Sequence, residues 1–324
     1  MLLLTTPQPF QLLIKQNSLR IPIGYWAFDN ANTPYLSGAS DYLDLAISWA
    51  RSAGLKVWVD CHGSPGSQNG YDNSGHAGDV LWQEPSNLNL SISVLETMAQ
   101  KYGSASYSDV VIALEIVNEP ISYSPNNIAT TRQFAQDAYT AIKTAATNPA
   151  LTVVMHDAFQ PLSTWSDLAT SLSPTPGAFA LDTHHYQLFA PTPSTLNQPD
   201  HISLACIQRS ALASTAPIFP TYIGEWTAIS NICVNPDGST SAGTTCEVPG
   251  CQCQSAPLEE WSEMLVQQTR RFVEAQMESF EQGGAKGWVL WSWEGPGGWG
   301  VRGLVEKGVV PQPLEDRWFG GECS

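Results

Sequence analysis

Two glutamates in the sequence follow apolar runs that are typical of buried strands. Glu119 stands in L-E-I-V-N-E-P at residues 114–120, and Glu225 stands in I-G-E-W at residues 223–226. Two carboxyl groups can cleave a glycosidic bond with retention, one as acid and then base and the other as nucleophile. A single strand-end glutamate could equally be a salt-bridged or solvated residue. The pair therefore predicts a retaining glycoside hydrolase with Glu119 and Glu225 as its catalytic residues.

A nucleophilic carboxylate must stay ionised, which requires a nearby cation and hydrogen-bond donors. Arg20 can supply the charge and Tyr186 can donate its hydroxyl. Histidines also follow apolar runs: His62, His156, His184 and His185. Because strand-end histidines more often serve as hydrogen-bonding groups than as ligands, we predict no metal and no cofactor. Asp157, another strand-end carboxyl, is expected to orient its neighbours.

The elements that must position these residues are apolar runs alternating with amphipathic stretches. Strands are predicted at 19–23, 55–60, 110–117, 151–155, 178–184, 220–225 and 287–293. Helices are predicted at 41–53, 88–102, 126–146 and 258–282. Continuous apolar runs indicate strands buried on both faces, as in a parallel sheet. The alternation predicts an α/β fold, a (β/α)8 TIM barrel, in which the carboxyl ends of the strands meet at one mouth.

The amino-terminal part of the barrel has no convincing candidate, because only seven strands can be counted. We expect residues 1–18 to form a separate segment and residues 19–324 to form one catalytic domain. The barrel is thus predicted to lack its first strand and helix. Such a gap would expose sheet edges and core surface, so an inactive truncated product is an alternative interpretation.

Composition narrows the class of partner. The formal net charge of −16 repels phosphate, so neither nucleic acid nor an anionic membrane is an expected partner. Twelve tryptophans suit either core packing or a cleft in which aromatic faces stack on sugar rings. No run is long and apolar enough to span a membrane, and the first residues lack the pattern of a signal peptide.

The seven cysteines fall into two groups by their surroundings in the sequence, one in an apolar run and six in loop-like segments. Cys61 lies in an apolar run and is predicted to be a buried thiol. The others lie in loop-like segments: Cys206, Cys233, Cys246, Cys251, Cys253 and Cys323. An even set favours disulfides and secretion, with a metal site at the C-x-C pair as the alternative. Residues 234–250 are interpreted as a cysteine-tied surface loop.

Six motifs, in order along the chain, resemble those of the fungal exo-β-1,3-glucanases of glycoside hydrolase family 5. They are R-I-P-I-G-Y-W (20–26), D-C-H-G-S-P-G-S-Q-N-G-Y-D-N-S-G (60–75), L-E-I-V-N-E-P (114–120), T-H-H-Y-Q-L-F (183–189), I-G-E-W (223–226) and W-V-L-W-S-W (288–293). The resemblance covers residues 19–324, and nothing before residue 19 matches the first strand of these relatives. It implies an exo-acting hydrolase that releases glucose from the non-reducing ends of β-1,3-glucan through a covalent intermediate. The alternatives are β-1,6-glucan or another β-glucoside as substrate.

The resemblance also implies residue roles. Glu119 would be the acid/base and Glu225 the nucleophile. The reacting sugar would be lined by Arg20, His62, Asn118, His184, Tyr186 and Trp291. The next glucose would meet two aromatic residues and their polar neighbours, namely Tyr71, Phe189, Asp72 and Asn73. Disulfides would join Cys206 to Cys323 and Cys233 to Cys253 or Cys251, with the remaining pair unassigned. A monomer that is extracellular or located in the cell wall is expected.

Overall fold

The computed structural model describes residues 17–30, 33–173, 177–189 and 195–324, and these residues form two compact units. The first unit contains the described residues up to Asp182 together with Ile218–Pro220. The second contains the described residues of Thr183–Pro217 and Thr221–Ser324. Within these ranges, every helix is too short or too polar to serve as a membrane-crossing segment.

Parallel strands form the centre of the first unit. They are β1 (Ser18–Gly24), β2 (Lys56–Gly63), β3 (Val111–Glu115), β4 (Thr152–His156) and β5 (Phe179–His185), whose last three residues belong to the second unit. Each strand pairs in parallel with the next strand along the chain. This consecutive order is that of a TIM barrel and differs from the reordered strands of a doubly wound sheet. The predicted α/β fold class is confirmed.

Helices follow the strands of this unit. They are α1 (Ala39–Ser52), α2 (Pro85–Tyr102), α3 (Ile128–Ala145) and α4 (Ser166–Leu172). The start of α3 is fixed by Asn127, whose side chain accepts a hydrogen bond from the backbone N–H of Thr130. Helix α1 buries Leu43, Ile47 and Ala50, which have the spacing of one helical face. Helix α4 was not predicted.

The second unit continues the alternation of strand and helix. Its elements are α5 (Gln198–Thr215), β6 (Thr221–Trp226), β7 (Ile232–Val234), β8 (Thr240–Ala242), β9 (Gln252–Cys253), α6 (Glu263–Gln282), β10 (Gly287–Leu290) and α7 (Val301–Glu306). Strands β6 and β10 pair in parallel. Helices α5 and α6 pack through an apolar cluster that includes Ile202 and Phe272.

Two of the sequence predictions for the second unit were wrong for local reasons. Residues 234–250, interpreted as a loop, contain strand β8, which pairs antiparallel with β7. The helix predicted at 258–282 begins at Glu263, because Ser262 caps it by accepting from the backbone N–H of Leu265. The predicted absence of a first strand and helix concerns residues 1–18, of which 1–16 lie outside the described residues and Ser18 begins β1.

The cysteines pair as the family resemblance implied. Disulfides join Cys206 to Cys323 and Cys233 to Cys253, and the remaining pair in the described chain is Cys246 with Cys251. The second bridge links partners in the register of β7 and β9. Cys61 is a buried free thiol, as predicted, and burial raises its pKa.

Candidate active site

Glu119 lies in the loop that follows β3. The strand was predicted to reach residue 117, but it ends at Glu115, so a loop rather than the strand positions Glu119. The backbone φ of Glu119 is +46°, a left-handed conformation that costs a non-glycine residue about 1–3 kcal/mol. Its side chain accepts a hydrogen bond of 2.7 Å from Nδ2 of Asn73. The residue is 8% exposed, so its carboxyl group is nearly shielded from bulk water.

Two buried amide side chains hold this strained loop. Nε2 of Gln68 donates to the backbone carbonyl of Asn118 at 2.9 Å and to that of His62 at 2.7 Å. Nδ2 of Asn69 donates to the backbone carbonyl of Glu119 at 3.2 Å. Sequence reasoning gave neither amide a role, although both stand in the 60–75 motif. The one signal in the sequence was the presence of these two amide residues in that motif. Their hydrogen-bond partners are visible only in the fold.

The side-chain amide of Asn69 also orders the loop that bears Tyr71 and Asn73. Asn69 donates to Oδ1 of Asn73 at 3.0 Å and accepts from the backbone N–H of Tyr71 at 2.9 Å. Asp72 begins the short 3-10 turn Asp72–Ser74. Tyr71 is 45% exposed, and its hydroxyl lies 3.4 Å from that of Tyr123. This hydrogen bond, with burial, raises the pKa of Tyr71 to about 12, so the ring stays neutral.

Arg20 lies in a buried cluster of carboxyl groups in the first unit. Its Nε donates to Oε2 of Glu115 at 2.9 Å, and its Nη2 donates to Oδ1 of Asn118 at 2.8 Å. Nη2 is also 3.1 Å from Oδ2 of Asp60 and 3.7 Å from Oδ2 of Asp182. The structure thus brings together Arg20 and Asn118, two of the predicted site residues, and adds three carboxyl residues to which sequence reasoning gave no role.

Asp60 orients His62. A carboxylate oxygen can only accept, so Nδ1 of His62 donates to Oδ2 of Asp60 across 2.6 Å. In the neutral ring Nε2 is then an acceptor, and it lies 3.4 Å from Nδ2 of Asn118. Burial raises the pKa of Asp60, but Arg20 and His62 outweigh it, and the net shift is downward.

Glu225 lies within β6 of the second unit, one residue before the end of the strand. The hydroxyl of Tyr186 donates to its Oε2 at 2.7 Å, and Nδ1 of His184 lies 3.6 Å from the same oxygen. Glu225 is 5% exposed. The structure therefore brings together Glu225, Tyr186 and His184, which the sequence had assigned to one site.

Aromatic rings surround the segment after β5. Phe189 is 71% exposed, and its ring stacks on Trp299 with centroids 6.2 Å apart. Tyr186 contacts both rings. Trp299 was not predicted as a site residue. Trp291, which was predicted, follows β10, bonds through its backbone N–H to the carbonyl of Trp226, and precedes a cis peptide bond.

The potential metal ligands have other partners. His156 accepts from the backbone N–H of Ala158 through Nδ1, and the ring of His185 stacks on Phe280. Asp157 accepts from the backbone N–H of Phe159, which fits its predicted orienting role. The Sγ atoms of four cysteines lie within 4.8 Å of one another, and they pair as two of the disulfides described above.

Comparison with known proteins gives consistent matches. A family model described as cellulase (glycosyl hydrolase family 5) matches residues 10–236. A glucan 1,3-beta-glucosidase of Pichia angusta is 36% identical over 322 residues, which cover 95% of this chain and 73% of that protein. A glucan 1,3-beta-glucosidase of Yarrowia lipolytica is 37% identical over 323 residues, which cover 96% of this chain and 74% of that protein.

Solved structures show the same fold at lower identity. The rutinosidase from Aspergillus niger superposes with a TM-score of 0.66 at 20% identity, covering 95% of this chain and 83% of that chain. The crystal structure of AoRut gives a TM-score of 0.68 at 17% identity, covering 94% of this chain and 81% of that chain. The family model covers more than half of the chain, and the curated relatives cover nearly all of it. This chain therefore belongs to glycoside hydrolase family 5 and is a glycoside hydrolase.

Proposed function

We propose that this enzyme hydrolyses β-1,3-glucan from its non-reducing ends, releasing glucose with retention of the anomeric configuration. The observation that carries the proposal is the identity of 36–37% with proteins named glucan 1,3-beta-glucosidase, over at least 95% of the chain. The environments of the two glutamates support their catalytic roles, since each residue is buried and its carboxyl group accepts a hydrogen bond.

Glu225 is the proposed nucleophile. Its carboxylate attacks the anomeric carbon and forms a glycosyl ester while the glycosidic bond breaks. The hydroxyl of Tyr186 at 2.7 Å supports this role, because its hydrogen bond holds the carboxylate of Glu225 in place. His184 near the same oxygen adds a second polar contact.

Glu119 is the proposed acid and base. It first protonates the leaving glucan oxygen, and then takes a proton from the water that cleaves the ester. The amide of Asn73 at 2.7 Å supports this role by fixing Oε2, and the strained backbone supports it because such strain clusters at active sites.

The sugar contacts are proposed from the family resemblance. The reacting glucose would contact Arg20, His62, Asn118, His184, Tyr186 and Trp291. The next glucose would contact Tyr71, Asp72, Asn73 and Phe189. The exposure of the Tyr71 and Phe189 rings supports stacking on sugar, since an exposed aromatic face packs well on an apolar ring face.

The disulfides support a location outside the cell or in the wall, because oxidising compartments preserve such bonds. We propose that the enzyme works there as a monomer. Gel filtration with light scattering would test the second point, and a dimer at micromolar concentration would contradict it.

The function is tested by incubating the purified chain with laminarin and following products by NMR. We expect β-glucose to appear first and to mutarotate later, with no early oligosaccharides. Initial α-glucose would overturn retention, and early oligosaccharides would overturn exo-action. Pustulan, a β-1,6-glucan, and p-nitrophenyl β-glucoside are assayed in parallel. Faster turnover of pustulan than of laminarin would replace the proposed substrate, whereas turnover of the aryl glucoside alone would favour another β-glucoside. A folded chain inactive on all three would be the truncated, inactive product.

A further inference from the structure

A cluster of buried acids in the first unit is larger than the proposed chemistry requires. Asp60, Glu115 and Asp182 are all fully buried, and all three face the guanidinium of Arg20. Glu115 ends β3, four residues before the proposed acid/base, and was given no role by sequence reasoning. Its place in the cluster raises the question of which protonation state it adopts.

The charges in this cluster do not balance when all three acids are ionised. Arg20 supplies one positive charge, and His62 would add one more if it were protonated by its contact with Asp60. Even then three carboxylates would leave the group negative. Uncompensated buried charge costs several kcal/mol, so one acid is expected to take up a proton.

The hydrogen bonds point to Glu115 as the protonated acid. Among the described residues, Oε1 of Glu115 and Oδ1 of Asp60 are buried without a hydrogen-bond partner. Ionised carboxylates only accept, whereas a protonated one also donates. Glu115 and Asp60 stand opposite each other in the register of β2 and β3, so a proton on Glu115 lets these two oxygens share a hydrogen bond, and such a bond lowers the pKa of Asp60. Burial raises the pKa of Glu115 well above its usual range, and Asp60 and Asp182 raise it further despite Arg20.

The orientation of Asn118 depends on this arrangement. Oε2 of Glu115 accepts from Nε of Arg20 and also lies 2.9 Å from Nη2. Nη2 in turn donates to the side chain of Asn118, and because guanidinium only donates, the atom facing it must be the amide oxygen. The amide nitrogen of Asn118 is then directed away from Arg20, towards His62.

We propose that Glu115 is a positioning residue that works as a neutral, hydrogen-bond-donating acid and joins Asp60 to Arg20. Arg20 in turn fixes the side-chain amide of Asn118, so that the amide nitrogen is available to the sugar 2-hydroxyl. The last step rests on the proposed function, in which Asn118 contacts the reacting glucose; the family resemblance implies that this contact is to the 2-hydroxyl. A glycosidase contact of this kind strengthens in the transition state, so the cluster acts on kcat more than on KM.

Glu115→Gln and Glu115→Ala separate this role from a structural one. Glutamine reproduces the neutral acid, with an oxygen for Arg20 and a donor for Asp60, so Glu115→Gln should keep most of the wild-type kcat on laminarin. Alanine removes the oxygen that holds Arg20, and kcat should fall about 100-fold with KM little changed. Equal impairment of both variants, or failure of Glu115→Gln to fold, would overturn the proposal.

Stability against pH gives a readout that needs no substrate. Because the pKa of Glu115 is raised in the folded protein above its ordinary value of 4.5, folding favours the protonated form. That contribution is complete below about pH 4.5 and is lost as pH rises towards the raised pKa. Relative to wild type, Glu115→Gln should therefore gain thermal stability between pH 4.5 and 7. If wild type instead gained thermal stability relative to Glu115→Gln between pH 4.5 and 7, Glu115 would be ionised and the proposal would be overturned.

Spectroscopy completes the test. The infrared difference spectrum between wild type and Glu115→Gln at pH 6 should contain the carbonyl band of a protonated carboxyl group, and its absence would contradict the neutral state. The side-chain amide resonance of Asn118 should move in Glu115→Ala and stay in Glu115→Gln; movement in neither would contradict the positioning role. If wild type fails to cleave laminarin, the proposed function fails, whereas the thermal and spectroscopic results still decide the role of Glu115.

Discussion

The two proposed catalytic glutamates are held in different ways. Glu225 lies within strand β6, and the side chains of Tyr186 and His184 contact its carboxylate directly. Glu119 lies beyond the end of its strand, on a backbone with φ of +46°. The carbonyl groups of this loop are held by the buried amides of Gln68 and Asn69.

The difference shows how a catalytic side chain can be fixed with or without regular structure. In a strand, ladder hydrogen bonds already hold the backbone, so the surrounding side chains are available for chemistry. In a loop, the backbone groups need dedicated partners, because a buried carbonyl without one is costly. Substitutions around Glu225 should therefore affect rate alone, whereas substitutions around Glu119 should affect rate and stability together.

The largest effect is expected from Glu225→Gln. Glutamine keeps the shape of the side chain but cannot form the glycosyl ester, so kcat on laminarin should fall at least about 10⁴-fold. The melting temperature should stay close to that of wild type, because the strand is unchanged. Exposed Glu96→Gln is the matched control and should be fully active. Appreciable turnover by Glu225→Gln would assign the nucleophile to another residue.

Glu119→Gln should have the next largest effect. Loss of general acid and base catalysis should lower kcat on laminarin by about 10²–10⁴-fold. With 2,4-dinitrophenyl β-glucoside, whose leaving group needs no proton, formation of the glycosyl ester should stay fast, and a burst of dinitrophenol should precede slow turnover. A similar loss in the burst rate and in laminarin turnover would argue against the acid role.

Gln68→Ala tests the loop itself. The substitution removes the donors to the carbonyls of His62 and Asn118 and the acceptor for the N–H of Ser64. Leaving buried groups unsatisfied costs about 1–3 kcal/mol each, so we expect a loss of about 3 kcal/mol in unfolding free energy. Misplacing Glu119 should also lower kcat by about 100-fold.

Urea denaturation and laminarin kinetics measure the two effects of Gln68→Ala side by side. Exposed Gln133→Ala, which loses a hydrogen bond to Asp137 within α3, is the control and should change neither quantity appreciably. Normal stability of Gln68→Ala would remove the contrast between the strand and the loop.

The regular parts of the molecule could be predicted from sequence because they depend on local pattern. The strands around residues 57, 114, 153 and 223 are continuous apolar runs, and buried parallel strands require that composition. Both glutamates follow from where these runs end. The roles of Gln68 and Glu115 could not be predicted, because Asn118 and Arg20, the partners that give them these roles, lie 50 and 95 residues away in the chain. An amide or an acid in a motif does not identify so distant a partner.

The second unit shows a different limit. Strands β7, β8 and β9 have two or three residues each, too few to show a period of two. Helix α5 was missed because its buried face includes the polar residues Gln198, His201 and Thr215, which interrupt an apolar stripe. His201 is buried, and its ring nitrogen forms a hydrogen bond with Gln187. This is a tertiary contact that the sequence pattern does not reveal.

The smallest effect is expected from Tyr186→Phe, which removes a single oxygen from the surroundings of Glu225. A hydrogen bond to a charged group contributes about 1.5–3 kcal/mol, so kcat should fall about 10-fold or somewhat more. The melting temperature should not change, because the ring still packs on Phe189 and Trp299. Tyr139→Phe on α3 is the matched control, and it should leave laminarin kinetics unchanged. A drop in stability for Tyr186→Phe comparable to that for Gln68→Ala would mean that the strand-borne glutamate depends on its neighbours for structure as much as the loop-borne one does.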